Sequence, residues 1–334
     1  MKNLNYSTPN KKQWTAVLLL AGALWPLQAI SGPQDRVSSD GTFEAAEIGA
    51  EGAPMAGSGQ ERSESFTGIA DVTPEELSLE GVNLYDGSEG KLTEEEYRRL
   101  SALPDPGATG TTDVSTETIL GPDTRQQLYT TNYPARAVVL ITFRGGRCSG
   151  TLIGNNTVST AGHCLHTGGS NGNWRSRTSF RIYPGANGSS TPYGYCTARS
   201  LHSVTGWTQS RNEEYDYGAI KLNCTVGNTV GWFGFTARNP IGLPSIIQGY
   251  PGDKPLTQWL SADEVWATSA RQLFYKNDTI GGMSGSPVWY DLNGPYMIGI
   301  HAYGQHGRDL HRTYNHGTRI TSGVYNNFIY WKRL

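Results

Sequence analysis

The last two thirds of the sequence predict an all-β fold, barrels or a sandwich of short strands, and three observations predict it. Charged residues are 17% of the 334, against the roughly 25% of an average soluble protein, while the chain holds 42 Gly, 18 Tyr and 9 Trp. Short β-branched and aromatic runs recur between Gly, Asn and Pro, the pattern of strands joined by tight turns. Only 322–332 carries apolar residues at helical spacing, at Val324, Phe328 and Trp331.

The elements follow in chain order. Lys2, Lys11 and Lys12 precede an apolar run at 14–24, and small residues follow near Ala29 and Ser31, so residues 1–30 read as an export signal. No internal apolar run approaches the ~20 residues of a membrane span, which excludes an integral membrane protein. Residues 31–117 hold few aromatics, many Gly, Ser and Glu, and no Cys. They are expected to form an acidic, partly disordered segment with two short helices. Each would start at a Thr followed three residues later by Glu, Thr73 with Glu76 and Thr93 with Glu96.

Charge divides at the same place. Residues 1–117 carry 8 Lys and Arg against 19 Asp and Glu, a balance of −11, and residues 118–334 carry 19 against 10, a balance of +9. An acidic segment that masks a basic domain or helps it fold, or one that simply aids solubility, accounts for this split. The Arg residues of the basic part are scattered and form no basic helix or finger, which argues against nucleic acid as a partner. From Ile119 onward, strands are expected at 137–143, 151–153, 218–222, 245–248, 286–290 and 296–300, before the terminal helix at 322–332.

Three short segments carry the chemistry. Thr-Ala-Gly-His-Cys at 160–164 sets His163 beside Cys164, Asp216 stands at the edge of an apolar strand, and Gly-Gly-Met-Ser-Gly-Ser-Pro at 281–287 sets Ser284 in a Gly-dense bend. A Ser hydroxyl becomes a nucleophile when an imidazole takes its proton, and that imidazole needs an acid on its far side. Glycines around the Ser let backbone N–H groups converge on an oxyanion. The order His, Asp, Ser differs from that of the α/β-hydrolases, and Ser286 occupies the place where a nucleophile elbow would need its second Gly.

These three segments resemble the signatures of chymotrypsin-fold serine proteases, and most closely those of the secreted bacterial glutamyl endopeptidases. Further stretches are similar to that family: Ile-Leu-Gly-Pro-Asp-Thr-Arg at 119–125, Gly-Asn-Thr-Val-Gly at 227–231, Gly-Tyr-Pro-Gly-Asp-Lys at 249–254 and Gly-Thr-Arg-Ile-Thr at 317–321. The resemblance covers most of 118–332. It implies two antiparallel six-stranded β-barrels, about 118–227 and 228–314, within a protease domain at 118–334 that ends in the helix at 322–332.

The resemblance assigns Ser284 as nucleophile, His163 as general base and then acid, and Asp216 as the orienting acid. The N–H groups of Gly282 and Ser284 would form the oxyanion hole. Thr279 and His301 match the positions that bind an acidic side chain in the family, by hydrogen bonds and by the charge of a protonated His. Cleavage after Glu, with Asp weaker, is expected, and a cut after Glu117 would free a mature enzyme beginning at Thr118. A different preference on the same scaffold, or an idle secreted binding protein, are the alternatives.

Two positions depart from relatives. Met283 stands where vertebrate digestive enzymes carry the Asp that pairs with a new N-terminus, and Ala302-Tyr303 lies beside the pocket His, where pocket size is decided. The family implies a Cys148–Cys164 bridge at the His loop and with it a Cys196–Cys224 bridge; four Cys alone allow three pairings. His166, His202, His306, His311 and His316 lack motif support, are expected on surfaces or in loops, and show no zinc spacing. No cofactor and no metal is expected. The expected partners are protein or peptide substrates and the chain's own propeptide, with no nucleic acid and no membrane once the signal is removed. The expected state is a secreted, extracellular monomer.

Overall fold

A computed structural model describes residues 32–44, 62–69, 90–106 and 118–334. The export signal, the helix expected from Thr73 and the Glu117 junction lie outside the described residues. Among the described residues no helix is long and apolar enough to cross a membrane.

The first barrel comprises β1 (Val138–Phe143), β2 (Gly146–Gly154), β3 (Thr157–Thr160), β4 (Arg181–Pro184), β5 (Ala198–Val204) and β6 (Gly218–Leu222). They pair in the order β5-β6-β3-β2-β1-β4. Every residue of β1 is buried, as expected of a strand covered on both faces, whose sequence reads as a continuous apolar run. The ring closes only through an isolated bridge between Ile182 of β4 and Cys196, just before β5.

The second barrel comprises β7 (Pro244–Gly249), β8 (Trp259–Thr268), β9 (Gln272–Tyr275), β10 (Pro287–Asp291), β11 (Pro295–Tyr303) and β12 (Asn315–Arg319). These pair in the order β10-β7-β8-β9-β12-β11, and β10 pairs with β11 to close a fully antiparallel ring. β12 carries this barrel beyond the expected end at residue 314. The expected start of the first barrel also changes. Residues 118–127 pack on the second barrel instead, with Gln126 and Gln127 paired to β8 and the N–H groups of Leu120 and Thr124 both donating to the Asp278 carboxylate at 2.8 Å.

The acidic N-terminal part adds structure to this scaffold wherever it is described. Arg36–Ser38 extends the first sheet antiparallel to β5, and Arg62–Ser63 pairs with Gly234–Thr236, which runs parallel to β11. The helix α1 (Glu94–Ser101) begins with the expected capping box between Thr93 and Glu96. The terminal helix α2 (Ser322–Arg333) starts at Thr321, whose hydroxyl accepts from the Val324 N–H. It buries Val324, Phe328 and Trp331, the three residues whose spacing predicted it. Asn327 on the same face donates to the Tyr217 hydroxyl at 2.7 Å and so ties the helix to the residue after Asp216.

Candidate active site

His163 lies on a short 3-10 turn (Gly162–Cys164) that follows β3, and the Cys148–Cys164 disulfide fixes this turn to β2. Cys196 and Cys224 form the other bridge. Asp216 is fully buried between the turn Glu213–Tyr215 and β6. Its carboxylate accepts the His163 backbone N–H at 2.8 Å and the His163 Nδ1–H at 2.7 Å. The two bonds together fix the imidazole's orientation and its tautomer, which places the basic nitrogen at Nε2. The Tyr303 hydroxyl also donates to this carboxylate. Burial, with the neighbouring Asp216 and Glu213 charges, holds the phenol well above its ordinary value, so Tyr303 remains a donor. Tyr303 therefore reaches Asp216, whereas its position in the sequence suggested the specificity pocket. A register shift between His301 and Tyr303, where β11 pairs with β12, accompanies this placement.

Ser284 lies in a bend that opens from Ile280, with Met283 N–H donating to the Ile280 carbonyl at 3.0 Å. Gly282 (φ +104) and Gly285 (φ +87) bracket Met283 and Ser284 in left-handed conformations that side chains rarely adopt. A Cβ on Gly282 would also lie 2.6 Å from the Tyr250 carbonyl oxygen. Both barrels hold the bend: Ser149 N–H donates to the Ser284 carbonyl at 2.9 Å and Gly285 N–H to the His301 carbonyl at 2.8 Å. Ser286 is fully buried behind the bend, and Met283 lies in the core of the second barrel.

One carboxylate from the acidic N-terminal part occupies the cleft. Asp105, four residues past α1, accepts the Gly282 N–H at 2.6 Å and the Ser284 Oγ–H at 3.0 Å on Oδ2. Its Oδ1 lies 3.9 Å from His163 Nε2. The preceding residue, Pro104, accepts from the Arg147 N–H at 2.9 Å. This carboxylate stands where the oxyanion of a tetrahedral intermediate would sit, and it takes the hydrogen bond that Ser284 would otherwise give to His163. No local sequence signal marks Asp105, because its partners are 177 and 179 residues away along the chain.

His301 and Thr279 are fully buried, and the Thr279 hydroxyl has no hydrogen-bond partner. The His301 Nδ1 shares a hydrogen bond of 2.6 Å with the Tyr275 hydroxyl. Burial pushes His301 down to about 3, so its imidazole is neutral in this state, in contrast to the protonated side chain expected from the sequence. Thr118, the residue after the expected cut, lies beside Thr279: its carbonyl accepts from the Thr279 N–H at 3.4 Å and from the Asn315 side chain at 2.7 Å.

Of the five histidines expected on surfaces or in loops, His306 and His311 are part-exposed in the connection after β11, whereas the other three depart from a surface position. His166, His202 and His316 are buried. His166 packs on Trp174, His202 shares a hydrogen bond with Ser200, and His316 is enclosed by rings on β9 and β11.

The Trypsin family profile matches residues 126–329. The chain belongs to the trypsin family. This protease is 35% identical over 319 residues to the glutamyl endopeptidase of Bacillus licheniformis, a match covering 92% of this chain and 90% of that one. It is 41% identical over 226 residues to a Bacillus subtilis protein named extracellular metalloprotease, covering 64% of this chain and 69% of that one. The solved structure of a Glu endopeptidase in complex with MPD superposes with a TM-score of 0.59 and 29% identity, covering 65% of this chain and all of that one. The protease is thus a chymotrypsin-like serine protease with glutamyl endopeptidases among its relatives.

Proposed function

We propose that this chain is the latent precursor of an exported endopeptidase that cuts peptide bonds after Glu, and more weakly after Asp. The observation that carries the catalytic part is the convergence of three groups on one carboxylate. Gly282 N–H, Ser284 Oγ and His163 Nε2 all face Asp105, while Asp216 holds the far side of His163. With a substrate carbonyl in place of that carboxylate, Ser284 Oγ forms a bond to carbon as its proton passes to His163 Nε2. The carbonyl electrons move onto the oxygen, which Gly282 and Ser284 N–H groups stabilise. Collapse breaks the C–N bond, and His163 gives its proton to the leaving amine. Water then attacks the acyl-enzyme by the same route and releases the acid.

Preference for an acidic side chain is supported by Thr279 and His301. The buried Thr279 hydroxyl, without a partner and near the strand that carries the His301 imidazole, offers a donor to a carboxylate at a place where it otherwise goes unused. The +9 balance of residues 118–334 attracts acidic substrates, and the names of the Bacillus licheniformis relative and of the solved structure agree with this preference. Export is supported by two disulfides and by the relative named extracellular. Latency is supported by Asp105, and maturation after Glu117 by the acid at that junction, with Thr118 already seated beside Thr279.

A cleavage-site profile tests this reading. The matured protein and a Ser284→Ala control are each incubated with a denatured protein mixture at about neutral pH, and new peptide ends are identified by mass spectrometry. Ends clustered after Glu, fewer after Asp, and none from the control are expected. Ends following other residues would remove the assignment of Thr279 and His301, and a control as active as the parent would remove the assignment of Ser284.

A further inference from the structure

A second set of titratable side chains lies behind Tyr303, away from the substrate cleft. His306, His311 and His316 recur at five-residue intervals from the connection after β11 into β12. Their rings lie 5.5 Å (His306 to His311), 4.9 Å (His306 to His316) and 4.7 Å (His311 to His316) apart. Glu213, on the turn that leads to Asp216, reaches them from the other barrel. Its Oε2 is 3.0 Å from His306 Nε2 and 3.9 Å from His316 Nε2. One ligand atom each from Glu213, His311 and His316 fall within 4.8 Å of one another.

Two features set this cluster apart from an ordinary hydrogen-bonded network. His316 is fully buried, yet its ring nitrogens make no hydrogen bond of ordinary length, the Glu213 carboxylate standing 3.9 Å from Nε2. Leaving such a group unsatisfied is costly, and stacking on Phe274 and Tyr303, at 5.5 and 5.3 Å, holds it in place without meeting that need. His311 is also oriented as a metal-bound histidine is, with the ring nitrogen away from the metal donating to a protein oxygen. His311 Nε2 donates to Gln272 Oε1 at 2.9 Å, which fixes the tautomer and leaves the lone pair on Nδ1. His306 donates from Nδ1 to the Gly304 carbonyl at 3.1 Å and from Nε2 to Glu213, and so orients the carboxylate.

We propose that Glu213, His311 and His316 bind one divalent ion of the zinc class, with His306 holding Glu213 in position. Bonds of ~2.0–2.2 Å in a tetrahedral site put ligand atoms about 3.3–3.5 Å apart, so atoms within 4.8 Å of one another need to close by at most about 1.5 Å. Two imidazoles and one carboxylate suit zinc and its neighbours, whereas calcium takes six to eight oxygens. The ion would join the two barrels three residues before Asp216, and His316 stacks on the tyrosine that donates to Asp216. Its role is to brace the catalytic acid, and it touches no substrate. This site stands apart from the choice of substrate.

The test uses the full chain carrying Ser284→Ala, so that self-digestion does not interfere, freed of metal by chelation. Zn2+ is titrated by calorimetry and Co2+ by visible absorption. One equivalent of Zn2+, d–d bands of a tetrahedral Co2+ centre and a higher thermal midpoint with Zn2+ are expected. Glu213→Gln and His311→Asn, both at part-exposed positions, should each lower affinity more than about 100-fold, the upper range for losing an orienting partner alone. Circular dichroism checks that both fold. Arg312→Ala, on the same loop, should bind as the parent does. The proposal is overturned if no stoichiometric binding occurs, if both variants bind as the parent does, or if His163→Ala rather than His311→Asn abolishes binding, which would move the ion to the substrate cleft.

Discussion

Two hydrogen bonds to one side chain decide how His163 works. Asp216 takes both the backbone N–H and the Nδ1–H of His163, so the residue's main chain and ring are fixed together. Tyr303 adds a third donor to the same carboxylate. It acts through Asp216 and touches no substrate, which makes it a positioning residue. Removing its hydroxyl by Tyr303→Phe keeps the ring against His316 and deletes one hydrogen bond to a charged group, worth about 1.5 kcal/mol. A fall in kcat of about tenfold with KM unchanged is expected in steady-state assays of the matured enzyme. An unaltered kcat would show that two bonds to His163 suffice. The segments that carry His163, Asp216 and Ser284 were legible in the sequence because each is a short local pattern. Tyr303 was visible only as an oddity beside His301, and the direction in which it points depends on a register shift that no local pattern announces.

Among the elements, the stretch from α1 to Pro106 reaches the bend that carries Ser284. Thr93 and Glu96 start the helix, Leu100 buries its face in the main core, and the chain then turns Pro104 and Asp105 onto Arg147, Gly282 and Ser284. The helix start was legible as Thr and Glu three residues apart. The contact it serves was not, since Asp105 lies 179 residues from Ser284 in sequence. The same distance problem hid the packing of 118–127 on the second barrel and the meeting of Glu213 with His306, which are 93 residues apart. Hydrogen bonds from Gly282 and Ser284 to the Asp105 carboxylate are of the charge-assisted kind, worth ~1.5–3 kcal/mol each. In an uncut precursor carrying Glu117→Gln, Asp105→Ala should therefore speed labelling of Ser284 by an active-site phosphonate by tenfold or more. Equal labelling rates with and without the Asp105 side chain would mean that the precursor is not latched by this contact.

Over the whole molecule, burial of neutral imidazoles sets an acid limit on stability. Burial lowers His202 from 6.5 to about 4 and His301 from 6.5 to about 3. Below pH of about 6.5 the unfolded chain takes up protons at both residues, while the folded chain does not until about pH 4 and pH 3. The unfolded state then binds more protons, so stability falls as pH drops through this window. Urea denaturation of the Ser284→Ala chain should show a midpoint that declines from pH 7 to pH 4, and a midpoint that is constant or rises would contradict the buried, neutral state of these side chains. The two-barrel architecture was legible from strand spacing and family signatures, and so was the terminal helix. The closure of the first barrel by one bridge, the strand that carries the second to Arg319, and the strands that the acidic part adds to both sheets arise from pairings between distant segments.

Hydrolysis after a carboxylate side chain is tested most directly by comparing two peptides that differ only in Glu or Gln before the scissile bond. The two side chains match in size and differ in charge, so kcat/KM for the matured enzyme isolates recognition of the carboxylate by Thr279 and His301. A ratio of about 100 or more in favour of Glu, equivalent to about 2.7 kcal/mol of transition-state binding, is the predicted result. Equal values for the two peptides, in a preparation that Ser284→Ala silences, would leave the serine protease intact and contradict the specificity assigned to it.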